Sequence, residues 1–81
     1  MFVVYILHSR QFDKIYIGYT SNLEQRIKSH NEFSKKGWNL KFRPWEVIHQ
    51  EKFATKMEAL KREKELKSYQ GREWIRRTFL G

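Results

Sequence analysis

No cysteine occurs among the 81 residues, which excludes a disulfide framework and a thiolate zinc site. Proline occurs once, at Pro44, where it limits helix growth. No repeat, low-complexity tract or linker interrupts the chain, so one small domain spanning residues 1–81 is expected. Long apolar runs are also missing. The opening stretch Met1 to Leu7 has no basic lead-in and is too short to cross a bilayer, so a soluble cytoplasmic protein without a membrane partner is expected. Acidic residues are scarce, nine against 17 Lys and Arg, leaving a net charge of +8.

That charge is what the chain has in excess. It is spread throughout but concentrates at one end: residues 55–81 carry eight basic and four acidic side chains. Such a field favours a polyanion, and nucleic acid most of all, through counterion release. The thirteen aromatic residues are partly needed for the core and add little to that inference.

Two apolar runs open the chain. Phe2 to His8 is almost continuously apolar, as suits a central strand covered on both faces. Lys14 to Tyr19 alternates, placing Ile15, Ile17 and Tyr19 on one face and Lys14, Tyr16 and Gly18 on the other. The polar stretch Ser9 to Asp13 between them predicts a β-hairpin. A loop centred between Arg10 and Gln11 sets Tyr5 opposite Tyr16 on one face. Gly18 removes a side chain beside Tyr16, where another group can approach closely.

Ser21-Asn22-Leu23-Glu24 reads as a capping box with Ser21 as N-cap, and predicts a helix to about Phe33. Arg26 and His30 lie one turn apart on the flank of its Leu23–Ile27 stripe. Lys35, Lys36 and Trp38 sit in a following loop that can meet phosphates and stack on bases. Trp38 packing back on the core is an equal alternative. Trp45 to Phe53 alternates as a third strand.

Thr55-Lys56-Met57-Glu58 is a second capping box, predicting a helix to about Ser68 with Met57, Ala59, Leu60 and Leu66 apolar. Glu58 with Arg62, and Lys61 with Glu65, are spaced as pairs on its outer faces. Glu63 falls inside the apolar stripe, where a carboxylate is costly unless something positive meets it. Neutralisation by Lys67 at i+4, with no further role for Glu63, is the alternative. Gly71 predicts a break before a last short helix of Trp74, Ile75, Phe79 and Leu80, with Arg72, Arg76 and Arg77 facing out. The expected fold is α+β, a three-stranded antiparallel sheet flanked by helices in the order ββαβαα.

Taken together, these residues resemble the GIY-YIG nuclease superfamily over nearly the whole chain. Val4-Tyr5-Ile6 and Tyr16-Ile17-Gly18 match its paired tripeptides, Arg26 its arginine eight residues past that glycine, and His30 the aromatic or histidine a turn later. Ala59-Leu60-Lys61-Arg62-Glu63 matches the helix that carries its metal-binding glutamate. The likeness is to small stand-alone members similar to the N-terminal nuclease module of the excinuclease C subunit. The chain departs at Val4, which replaces the first motif's glycine as many members tolerate, at Tyr19, where repair nucleases often have lysine, and in having no evident counterpart of the closing asparagine.

The resemblance implies a metal-dependent endonuclease acting on DNA, in repair or recombination, with RNA left open as substrate. Glu63 would bind one Mg²⁺ or Mn²⁺, Arg26 would hold phosphate oxygens, and Tyr5, Tyr16 or His30 would position or deprotonate water. Lys14, Lys35, Lys36 and Trp38 are the candidate nucleic-acid contacts. The rival expectation is a catalytically weak or inactive nucleic-acid-binding module that works with a partner protein. A partner protein or a transient homodimer is open on either reading.

Overall fold

The computed structural model describes residues 1–28, 42 and 44–81. Three strands, β1 (Phe2–Ser9), β2 (Lys14–Thr20) and β3 (Glu46–Phe53), form one antiparallel sheet in the order β2-β1-β3. Helix α1 (Leu23–Lys28) follows β2, while α2 (Lys56–Lys67), α3 (Tyr69–Ile75) and a π-helical turn (Arg76–Leu80) follow β3. The α+β architecture is the expected one. No helix among the described residues is long and apolar enough to cross a membrane.

β1 is central because both of its faces are apolar. Val4 and Ile6 join Ile17, Ala59, Leu66 and Ile75 in a core under α2 and α3. Tyr5 and Leu7 join Trp45 in a second core on the other face, with Tyr16, Leu23 and Ile27 against it. The extra residue of a β-bulge in β3, opposite the Ile6–Leu7 step, lets His49 pair with Ile6 and Val47 with Leu7. Each then keeps the face its partner faces.

The hairpin register corrects one expectation. Tyr5 pairs with Gly18, and Leu7 with Tyr16, so the turn spans residues 10–13 and the two tyrosines sit diagonally. A displacement of two residues preserves the face, and their rings stack 6.2 Å apart at 22°. Asp13 closes the turn with φ 52°, a left-handed conformation that a short polar side chain tolerates. Arg76 Nη1 donates to both carboxylate oxygens of Asp13 at 3.1 Å, and Nη2 to its carbonyl at 3.2 Å. His8 Nε2 lies 3.0 Å from the same carboxylate. These contacts hold the end of the helical segment against the hairpin turn.

The helix ends bring further corrections. Asn22, not Ser21, caps α1, its Oδ1 accepting from the Gln25 amide at 3.1 Å. Thr55 caps α2 as expected, accepting from the Glu58 amide and donating to the Glu58 carboxylate. The break after α2 comes at Ser68, whose hydroxyl donates to the Glu65 carbonyl and accepts from the Gly71 amide. Gly71 therefore lies within α3. A Cβ there would meet the Glu65 carbonyl oxygen at 2.3 Å and the Leu66 Cα at 2.6 Å, so glycine is needed for the close approach of two helices.

Arg62 turns away from Glu58 and clasps Glu51 on β3, through Nε at 2.9 Å and Nη2 at 3.1 Å. Its guanidinium also lies over the Trp74 ring. Leu60, expected in the core, is 41% exposed. Ala59 and Leu66 are the residues of α2 that the sheet buries.

Candidate active site

A cleft of about 480 Å³ opens where β1, β2, α1 and α2 meet, lined by Tyr5, Tyr16, Gly18, Arg26 and Glu63, with Lys56 and Lys67 alongside. Each element delivers its residue for a local reason. β-Alternation turns Tyr5 and Tyr16 to one face. The Asn22 cap starts α1 so that Leu23 and Ile27 pack on the second core, which leaves Arg26 at the cleft. Burial of Ala59 and Leu66 fixes the rotation of α2 and aims Glu63, which lies between them on the same stripe, at the tyrosines.

Gly18 is the point of closest approach. A Cβ at this position would stand 2.7 Å from the Tyr5 hydroxyl and 2.9 Å from its Cζ. The close group is therefore the protein's own tyrosine, whose phenol passes over the glycine into the cleft. Tyr5 is 1% exposed. Burial pushes its phenol well above the ordinary range; the neighbouring Tyr16 adds to the rise, the Arg26 charge opposes it, and Glu63 adds again. In the protein alone the phenol thus favours its protonated form, which has a hydrogen to donate.

Glu63 keeps 17% of its side chain exposed, and Lys67 Nζ lies 3.4 Å from its Oε1. The carboxylate in the apolar stripe thus has the i+4 lysine contact that the spacing allows, and it lines the same cleft as Arg26. Lys14 is exposed, with its ammonium 5.5 Å from the centre of the Phe42 ring, and is not among the residues lining the cleft. His30, Lys35, Lys36 and Trp38, and the expected helix end at Phe33, lie outside the described residues.

Sequence reasoning missed Lys56 and Lys67 as cleft residues. The signal was present in their spacing, since 56, 63 and 67 follow one another along a single face of α2. A larger concavity, of about 680 Å³, lies between α2 and α3 and is lined by Lys61, Arg62, Lys64 and Trp74 among others. Size does not make it the better candidate: its arginine is already engaged by Glu51, and it holds neither tyrosine.

Comparison with known proteins identifies the family. The family model for the GIY-YIG catalytic domain matches residues 1–75. A UPF0213 protein of Staphylococcus haemolyticus is 38% identical over 66 residues, covering 82% of this chain and 79% of that protein. One from Staphylococcus aureus is 36% identical over 62 residues, covering 76% of each. The solution NMR structure of a UPF0213 protein from Bacillus halodurans superimposes with a TM-score of 0.55 at 29% identity, covering 93% of this chain and 82% of that one. With its two tyrosine-bearing strands, its arginine helix and its glutamate helix all inside the matched span, the chain belongs to the GIY-YIG catalytic domain family.

Proposed function

We propose that this chain is a metal-dependent endonuclease that hydrolyses DNA phosphodiester bonds, folded as one domain. The observation that carries the reading is the convergence of Tyr5, Tyr16, Arg26 and Glu63 on one cleft in a chain of net charge +8. Family membership supports a nucleic-acid substrate, and the charge independently favours a polyanion.

Among the described residues there is no group of three or more His, Asp or Glu side chains suited to hold a metal, and Glu63 is the one carboxylate lining the cleft. This fits a hard cation such as Mg²⁺ or Mn²⁺, which keeps most of its waters and borrows phosphate oxygens from the substrate, and not a cation that needs a protein cage. Glu63 would hold it, and when bound it supplies Lewis-acid stabilisation of the charge that develops on the phosphate and the departing oxygen.

The chain's own groups have separable tasks. Arg26 presents a rigid fork of donors to the non-bridging phosphate oxygens. Tyr5, held protonated by burial, orients the phosphate or the attacking water by donating its hydroxyl hydrogen. Accepting the water's proton falls to Tyr16 or His30. Lys14, Lys35, Lys36 and Trp38 are proposed to contact the nucleic acid by charge and stacking.

The ion pair between Glu63 and Lys67 favours one second reading, a module that binds nucleic acid with little or no cleavage and acts with a partner. Supercoiled plasmid with Mg²⁺ or Mn²⁺ separates the two. Wild type is expected to nick it, and Glu63→Ala and Arg26→Ala to lower the rate about 100-fold or more, as loss of one preorganised charge-stabilising group does. Nicking that persists unchanged in both variants overturns the site. Salt-sensitive binding without nicking supports the second reading.

A further inference from the structure

Glu63 already has a cation of its own. Lys67 lies one helical turn beyond it, its Nζ 3.4 Å from Oε1, and the pair is uneven: the glutamate side chain is 17% exposed and the lysine side chain 48%. A carboxylate so enclosed is costly without a counter-charge, so the lysine stabilises it in the protein alone. The contact is nevertheless loose. Charge-assisted N–H···O bonds run nearer ~2.7–2.9 Å, and a half-exposed ammonium on a flexible four-carbon stem moves easily.

We propose that Lys67 is an exchangeable counter-ion: it balances Glu63 until a divalent cation takes the carboxylate, then turns its ammonium to a substrate phosphate oxygen. The inference rests on the phosphodiester site proposed above and adds a positioning role for a residue outside the four that define it. Charge in the cleft gives the swap a consequence. Arg26, Lys56 and Lys67 against Glu63 leave +2 along the lining, and a divalent ion at Glu63 raises that to +4. Metal and polyanion therefore strengthen each other's binding, and by linkage the coupling is equal in both directions. The neighbouring cations do not share the role. Arg26 has a rigid fork suited to phosphate, and Lys56 lies seven residues before Glu63, two turns away.

The test uses Mn²⁺ alone as probe, titrated into wild type, Lys67→Met, Lys67→Gln, Lys56→Met and Glu63→Gln and followed by the loss of the free-ion EPR signal. Both Lys67 variants are expected to bind Mn²⁺ several-fold more tightly than wild type, with Lys56→Met changing less because it removes the same charge without the contact. At saturating Mn²⁺ the Lys67 variants should bind duplex DNA more weakly, with the salt slope reduced by about one. Opposite shifts in the two affinities are not what a general loss of folding produces, and two replacements guard against one that folds poorly. Mn²⁺ affinity in the Lys67 variants that is equal to or below wild type, or no greater than in Lys56→Met, overturns the proposal. Glu63→Gln binding Mn²⁺ as well as wild type removes the site itself, which separates failure of the underlying reading from failure of the swap.

Discussion

Gly18 and Tyr5 behave as one unit. The phenol crosses the glycine so closely that an added methyl would lie 2.7 Å from Oη and 3.1 Å from Cε1 of Tyr16. Tyr5 is enclosed and stacked, so it cannot swing aside freely, and forcing a methylene into a packed site costs about 1–3 kcal/mol. Gly18→Ala is expected to lose about that much stability in urea denaturation and to lower plasmid nicking, since the displaced phenol is the group proposed to orient the phosphate. A melting profile and nicking rate equal to wild type would mean that the phenol does not sit against the glycine. Part of this pairing was legible in the sequence. A glycine two residues from a strand tyrosine announces that something comes close; the pairing register, which decides what, depends on turn geometry that the polar stretch Ser9 to Asp13 leaves open by two residues.

Among the elements, α2 is the one whose rotation determines the site. Its buried residues are Ala59 and Leu66, with Leu60 turned outward at 41% exposure. Leu66→Ala is therefore expected to cost about 2–5 kcal/mol. Leu60→Ala should cost about 0.5 kcal/mol, as surface substitutions do. Equal midpoint shifts in urea would show that the helix is rotated otherwise. Sequence periodicity placed α2, its Thr55 cap and Glu63 on the sheet side, but included Leu60 and Met57 in a stripe wider than the sheet covers. Apolar spacing gives the centre of a buried face and not its width, which depends on what packs opposite. The same limit applies to Gly71. As a breaker and as a space-maker it looks the same in sequence, and only the crossing of α2 and α3 distinguishes them.

At the scale of the whole molecule, ion pairs tie distant segments together and make stability depend on pH. Glu51 on β3 meets Arg62 on α2 and His49 on its own strand. Burial raises its carboxyl, but hydrogen bonds from Arg62 and His49 outweigh that and hold it below the ordinary value of 4.5. Asp13 is held low by His8 and then by Arg76. A carboxylate whose folded pKa is depressed adds stability that is fully present above its unfolded value and lost as pH falls through the folded one. Melting temperature is thus expected to fall from about pH 5 to pH 3, with a shallower fall in Glu51→Gln. A flat profile across that window, or an unchanged slope in the variant, would contradict it. The pairs between elements were not readable in advance, because spacing within a helix suggests partners such as Glu58 for Arg62, while the preceding strand, 11 residues back, contributes the real one. What sequence did show at this scale was the sheet and its central strand, since each belongs to a local pattern; Tyr5, Tyr16, Arg26 and Glu63 come from the family resemblance, and in the structure they line one cleft.

The contact between Asp13 and Arg76 joins residues 63 apart in the chain, and polymer entropy decides what such a contact can do. Bringing together the ends of so long a segment removes freedom that an ion pair standing in water does not restore. Burial of Leu66 and Ile75 against the sheet has to draw the ends together first. The arginine then acts as a latch on a door already shut: it sets the angle at which the last turn meets the hairpin, and leaves the question of whether they meet to the core.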